Sequence, residues 1–275
     1  MELRVVQWNL HMNSKAERTR DFIAERIVPG PTVVCLEEVR PLRYRMLVDS
    51  LKPTSSRFSL DLRKAGKNEG MGRRLGVAVL AFGLSISSFE LPERTVYPER
   101  TLSALLDGDF GPVRVVAFHS LAGVNFGQMK ASNFATIADY LQLHRSELDF
   151  LCFDGNEPNH DSMDVDKIVF GHSDKGLVKR MALIMGKEKV HNLTDSYTDY
   201  LQSTGREVSG QPLAVSYDTG KGVEGEKQGE RRYDYVMHSP RWRVMNCEYP
   251  YGESIKATSD HSAVIVDFEL WQGPV

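Results

Sequence analysis

Polar side chains end or interrupt most of the apolar runs in this sequence, and their types suit acid–base and cation chemistry. Asn9 follows "VVQW", Glu38 follows "VVCLE", His119 follows "VVAF", and Asp154 and Asn156 follow "LDFLCF". Asp234 lies within "RYDYVM", and Asp260-His261 precede "SAVIVDF". A carboxylate at a strand end is costly to bury unless it is paired or bound to a cation. Strand ends of an α/β sheet converge on a common crevice, so several such carboxylates together imply an ion. Oxygen donors such as Glu38 and Asp260 suit Mg²⁺ or Mn²⁺, whereas zinc takes nitrogen and sulfur.

Each position also has a structural reading. "DGNEPNH" (154–160) is turn composition, because Gly supplies positive φ and Asx side chains bond their own backbone. Glu38 beside Glu37 reads as a solvated pair, His119 as a satisfied core histidine, and Asp260-His261 as a turn cap. Asp234 has Arg231 and Arg232 as ready ion-pair partners. Arg100, just before "TLSALL", is a candidate to hold a phosphate oxygen.

The elements that must position these residues are mostly strands. Runs rich in apolar and β-branched residues, bounded by Gly, Pro, Asn, Asp or Ser, predict strands at 3–8, 32–36, 57–62, 75–82, 101–106 and 112–118. Further runs predict strands at 148–153, 232–237, 242–249 and 262–270. Helical spacing predicts helices over 15–28, capped by Ser14, and over 42–51, 128–144 and 175–187. Helices interleaved with closely spaced strand pairs suit two packed mixed sheets with helices outside, an α/β or α+β sandwich. No repeat or linker divides the chain, so residues 1–275 read as one domain. The segments 63–74 and 218–232 are polar and Gly-rich and read as long loops; the first carries five cations.

Composition narrows the class. The chain has 275 residues, 41% hydrophobic and 26% charged, close to the globular average. A net charge of −3 does not suit a protein that simply coats nucleic acid, so any polyanion contact must be local. The longest apolar runs fall far short of a membrane span, and the N-terminal sequence lacks the pattern of a signal peptide. Three cysteines in or beside apolar runs read as small buried hydrophobes. These features point to a cytoplasmic protein, and nothing in them suggests a protein partner.

Taken in order, Trp8-Asn9, Leu36-Glu37-Glu38-Val39, Phe118-His119-Ser120-Leu121, Asp154-Gly155-Asn156, Arg232-Tyr233-Asp234-Tyr235 and Ser259-Asp260-His261-Ser262 resemble the endonuclease/exonuclease/phosphatase superfamily. The matching motifs run from residue 8 to residue 262, and "SDHSAV" and "RRYDYV" are the most specific. The resemblance implies a four-layered α/β sandwich of the deoxyribonuclease I type and metal-dependent cleavage of a phosphate ester. It places Glu38 at the metal, with Asn9 and Asp260 close to the ion or the phosphate. It gives Asp154 and Asn156 the attacking water, and sets His261, oriented by Asp234, beside the scissile phosphate. His119 matches a histidine of the deoxyribonuclease, phosphatase and sphingomyelinase branches.

The chain departs from the pattern in three places. Leu36-Glu37-Glu38 replaces Leu-Gln-Glu, which adds a negative charge near the metal. Phe153-Asp154-Gly155-Asn156 replaces Gly-Asp-x-Asn, and His11 stands where abasic endonucleases carry Asp. The expected activity is hydrolysis of a phosphodiester, with DNA or RNA as substrate. A phosphomonoesterase, a lipid- or inositol-phosphate-directed enzyme, and a non-catalytic module on the same fold are the alternatives.

Overall fold

The structure is a computed structural model that describes residues 1–171, 175–208, 210–220 and 229–271. In chain order the strands are β1 (Glu2–Asn9), β2 (Thr32–Val39), β3 (Ser55–Phe58), β4 (Gly76–Phe82), β5 (Ser85–Glu90), β6 (Thr101–Gly108) and β7 (Gly111–His119). They continue as β8 (Leu148–Asp154), β9 (Thr194–Asp195), β10 (Tyr217–Asp218), β11 (Glu230–Arg231), β12 (Asp234–His238), β13 (Trp242–Glu248) and β14 (Val264–Leu270). The helices are α1 (Ala16–Ala24), α2 (Pro41–Leu51), α3 (Ser59–Leu62), α4 (Gly123–Leu143), α5 (Lys175–Met185), α6 (Ser196–Thr204) and α7 (Tyr251–Lys256).

Two six-stranded sheets form, with orders β13-β14-β1-β2-β4-β3 and β5-β6-β7-β8-β12-β9. Both are mixed. Each has one parallel pair near its centre, β1 with β2 and β7 with β8, and antiparallel neighbours elsewhere. Side chains alternate along a strand, and the buried residues sort accordingly. Leu3 and Val5 of β1, Val33 and Cys35 of β2, Val113, Val115 and Ala117 of β7, and Phe150 and Cys152 of β8 fill the core between the sheets. Val6, Trp8, Val34 and Leu36 face outward with Phe22 and Ile23 of α1 and Leu47 of α2. Phe118, Leu151 and Phe153 pack with Phe134, Ile137 and Leu141 of α4 and Met181 and Ile184 of α5. The result is helix, sheet, sheet, helix: the expected four-layered α/β sandwich.

Several sequence expectations change. The alternating 57–62 is not one strand; Ser59 Oγ donates to Glu99 O and accepts from Val77 N–H, and the chain turns there into α3. Ser14 does not cap α1; Lys15 holds the N-cap position without a side-chain bond, and Ser14 Oγ accepts instead from Arg43. The strands β5 and β9 and the helices α6 and α7 are additional. Most of the expected loop 218–232 lies outside the described residues. Cys35, Cys152 and Cys247 are buried and unbridged, as their apolar surroundings suggested. Among the described residues no helix is long and apolar enough to cross a membrane.

Candidate active site

The inner faces that bury Leu3, Val5, Val33 and Cys35 turn polar at one end of the sandwich. Strand alternation carries β1 from Leu3 and Val5 to Gln7 and Asn9, and β2 from Val33 and Cys35 to Glu37. The same alternation carries β7 from Val115 and Ala117 to His119, and β8 from Phe150 and Cys152 to Asp154. Asp234 opens β12 on the face that continues to Val236. Register then fixes neighbours: Asn9 lies opposite Glu37, His119 opposite Asp154, and Asp234 opposite Asp154. Residues far apart in sequence therefore meet because both parallel pairs end at the same edge.

Asp154 is the hub. It is 1% exposed, and its Oδ1 accepts from Asn156 N–H at 2.8 Å. Its Oδ2 accepts from Asn9 Nδ2 at 2.9 Å and from Asn156 Nδ2 at 3.2 Å. His119 Nε2 stands 3.5 Å and His261 Nε2 3.9 Å from that same oxygen. Asn156 has φ +49°, and its Nδ2 also donates to Ser120 O at 3.3 Å.

His261 is held from behind. Its Nδ1–H donates to Asp234 Oδ2 at 2.8 Å, which leaves Nε2 aimed toward Asp154. The Tyr217 ring packs 4.6 Å from the imidazole. Burial alone would depress this imidazole, but the carboxylates of Asp234, Asp154 and Asp260 outweigh it and raise its pKa to about 10. Burial, reinforced by Asp234, pushes the Asp154 carboxyl up to about 7, against the opposing pull of His261 and its hydrogen bonds. His119 differs: burial, then Arg100 and His261, hold it well below its ordinary value, which favours the neutral ring. Arg100 Nη1 lies 3.4 Å from His119 Nδ1, an arrangement that leaves a proton on Nε2 facing Asp154.

Glu37, expected to add charge beside the metal, is turned inward. Glu37 points into the core between the sheets, fully buried, and accepts from Gln7 Nε2 at 2.8 Å. Burial, then Asp234 and Asp154, drives its pKa well upward, which favours the neutral acid. Glu38 escapes this fate because β2 breaks register there and Glu38 takes φ +54°. Its Oε2 accepts from Met12 N–H at 2.9 Å, while Oε1 lies 3.9 Å from His119 Nε2, beyond hydrogen-bond reach. Asp260 Oδ1 is buried with no hydrogen-bond partner. Asn9 Oδ1 accepts from His11 N–H at 3.0 Å and keeps a second lone pair. Asp260, Glu38 and Asn9 thus each present an oxygen of the kind a hard divalent cation takes. Asp154, Asp234 and His261 also offer ligand atoms within 4.8 Å of one another.

Other expectations resolve locally. Arg231 and Arg232 do not pair with Asp234; Arg232 binds Asp161 and Asp195, each at 2.6 Å. Arg100 is buried beside His119 and Ser120, with its Nε unpartnered. In the 63–74 segment, Arg63 and Arg73 are paired with Glu69 and Glu99, so two of its five cations hold the loop in place. The sequence reading missed Gln7, Lys130 and Tyr217. Gln7 had a signal, since alternation from Leu3 and Val5 places it on the inner face. Lys130 and Tyr217 had none, because their roles depend on what α4 and β10 pack against.

No protein-family model and no curated protein matches this chain in sequence. Solved structures do match its fold. An endonuclease/exonuclease/phosphatase from Beutenbergia cavernae superposes with a TM-score of 0.66 at 20% identity, covering 100% of this chain and 73% of that one. D. rerio TDP2 complexed with single strand DNA product gives 0.65 at 13% identity, covering 98% and 99%. The human Nocturnin catalytic domain with bound sulfate anion gives 0.60 at 18% identity, covering 98% and 95%. The fold is therefore that of the endonuclease/exonuclease/phosphatase proteins, the deoxyribonuclease I-like sandwich.

Proposed function

We propose that the protein is a divalent-metal-dependent phosphoesterase, formed as one catalytic domain, that hydrolyses phosphodiester bonds of nucleic acid. The observation that carries this reading is the facing pair at the sheet edge. Asp154 Oδ2 lies 3.9 Å from His261 Nε2, and His261 is anchored to Asp234 at 2.8 Å.

The roles follow from the two protonation states. Asp154, its pKa raised to about 7, exchanges its proton near neutral pH and, as the carboxylate, accepts the proton of a water placed against Oδ2. Asn9 and Asn156 fix that oxygen, and the His119 Nε2 proton faces the same place. His261 is an imidazolium at neutral pH, so its Nε2–H stabilises negative charge on the phosphorane oxygens. Asp234 keeps that proton arrangement and orientation. Glu38 and Asp260, with Asn9, are the residues that would hold Mg²⁺ or Mn²⁺; the bound ion would neutralise phosphate charge and stabilise the leaving oxygen. Arg100 supplies a further buried cation close to His119.

Nucleic acid is the favoured substrate because one structural neighbour is complexed with a single strand DNA product. The test compares bis(p-nitrophenyl) phosphate, p-nitrophenyl phosphate, and single-stranded and duplex DNA and RNA, each with Mg²⁺, Mn²⁺ or chelator. Chelator-sensitive cleavage of a nucleic acid is expected. Turnover of the monoester alone would refute the diesterase assignment, and no hydrolysis of any ester would refute the enzyme.

A further inference from the structure

We propose that Gln7 is a positioning residue for His261: it clamps the second oxygen of Asp234, and Glu37 holds Gln7 in turn. Gln7 Nε2 donates to Asp234 Oδ1 at 3.0 Å and to Glu37 Oε2 at 2.8 Å. Asp234 Oδ2 accepts from His261 Nδ1 at 2.8 Å. The chain Glu37–Gln7–Asp234–His261 thus runs from the core between the sheets to the reacting edge, and its first three members are fully buried.

The alternative is that Gln7 and Glu37 merely pack. As packing they are poor. Both occupy inner-face positions that Val5 and Cys35 fill further along with apolar atoms. Gln7 Oε1 and Glu37 Oε1 have no hydrogen-bond partner, and buried polar atoms left unpaired are destabilising. Apolar side chains of similar volume would serve the core equally well or better. What such side chains cannot supply is a donor to Oδ1. A carboxylate gripped by one oxygen can turn about its terminal torsion, which is broad for Asp. Gripped at both oxygens, by Gln7 and by His261, Asp234 holds the imidazole in one plane.

The role rests on the phosphoesterase reading for its kinetic consequence but not for its geometric one, so two measurements separate them. The variants are Gln7→Met and the double variant Gln7→Met/Glu37→Met, which keeps the core filled without leaving Glu37 unpaired. The first measurement is the proton resonance of His261 Nδ1–H in ¹⁵N-histidine-labelled protein, assigned by its loss in His261→Gln. It should shift or broaden by solvent exchange in both variants. The second is diester hydrolysis: kcat should fall about ten- to a hundred-fold, the worth of one hydrogen bond to a charged group, with KM changed less than about two-fold. The thermal midpoint of the double variant should equal or exceed that of the parent. An unmoved resonance overturns the proposal, as does unchanged kcat. So does a kcat loss matched by a fall in thermal midpoint in both variants, since that marks a packing role. If the parent hydrolyses no phosphate ester, the functional reading falls, and the resonance alone decides the positioning role.

Discussion

Replacing Lys130 by methionine should destabilise the fold severely, even though Lys130 lies on a helix whose apolar stripe alone would dock it. Lys130 extends from α4 with no exposed surface, and its Nζ donates to Asn156 O at 2.9 Å and to Glu157 Oε1 at 3.0 Å. Glu157 is 3% exposed, and its Oε2 also accepts from Gly171 N–H at 2.7 Å. Burial lowers the Lys130 pKa, and Glu157 opposes that shift. Deleting the cation breaks a buried ion pair, which costs about 3–5 kcal/mol. For a domain of this size that is roughly a 10 °C fall in thermal midpoint. The double variant Lys130→Met/Glu157→Gln removes both charges and keeps an acceptor for Gly171, so it should recover most of the loss. Circular dichroism melts of the parent, both single variants and the double variant complete the cycle. If Lys130→Met melts within about 2 °C of the parent, the buried pair is not holding the 154–158 loop and the reasoning fails.

Asp234→Asn removes the carboxylate that sustains the His261 imidazolium. Turnover, which needs that proton, should therefore be lost at a lower pH than in the parent, where His261 titrates near 10; the kcat–pH profile shows this directly. Glu38→Ala should weaken Mn²⁺ binding at least about ten-fold by calorimetry, with the fold intact by circular dichroism, and unchanged affinity would remove Glu38 from the metal site. His191 offers a stability test far from the chemistry. It accepts from Leu193 N–H at Nδ1, lies against Ile184 O through Nε2, and burial depresses its pKa from 6.5 to about 4. Below pH 6.5 the unfolded chain takes up the proton and the native chain does not, so this residue costs stability as pH falls through that window, by up to about 3 kcal/mol. Urea unfolding of His191→Asn at pH 7.5 and pH 5 should show a smaller acid loss than the parent; equal losses would contradict the assignment.

The sandwich was legible because strands carry a period of two, and Asn9, His119, Asp154 and Asp234 stand out where that period leaves the core, whereas Glu38 sits at a break in it and His261 lies outside the strands. Where the period was short or interrupted, legibility failed. Residues 57–62 alternate well enough for a strand, yet the buried Ser59 hydroxyl bends them into α3. The helix α6 carries end signals in its sequence, Asp195 at the N-cap and Gly205 at the C-cap, but its apolar pattern is too short to mark a helix. The state of Glu37 was not legible at all. Sequence adjacency to Glu38 suggested a second charge at the metal, whereas the register break in β2 sends the two carboxyls to different environments. One is buried in the core, where its pKa is driven upward, and the other is a candidate ligand at the rim.

The stretch "DGNEPNH" shows why a turn and a reactive group are not competing readings of one sequence. Asp154 Oδ1 accepting from Asn156 N–H is the side-chain-to-backbone bond of an Asx turn, and Asn156 at φ +49° is the left-handed residue such a turn tolerates. That turn is what leaves Oδ2 free of backbone partners and surrounds it with Asn9, Asn156, His119 and His261. Gly155 N–H donates to Tyr233 O, and Lys130 takes Asn156 O, so the backbone of the turn is satisfied on both sides. A carboxylate on a mobile loop would spend part of its time solvated. Here one oxygen is consumed by the turn, and burial raises the pKa of the carboxyl to about 7, where the open oxygen can both lose and accept a proton near neutral pH.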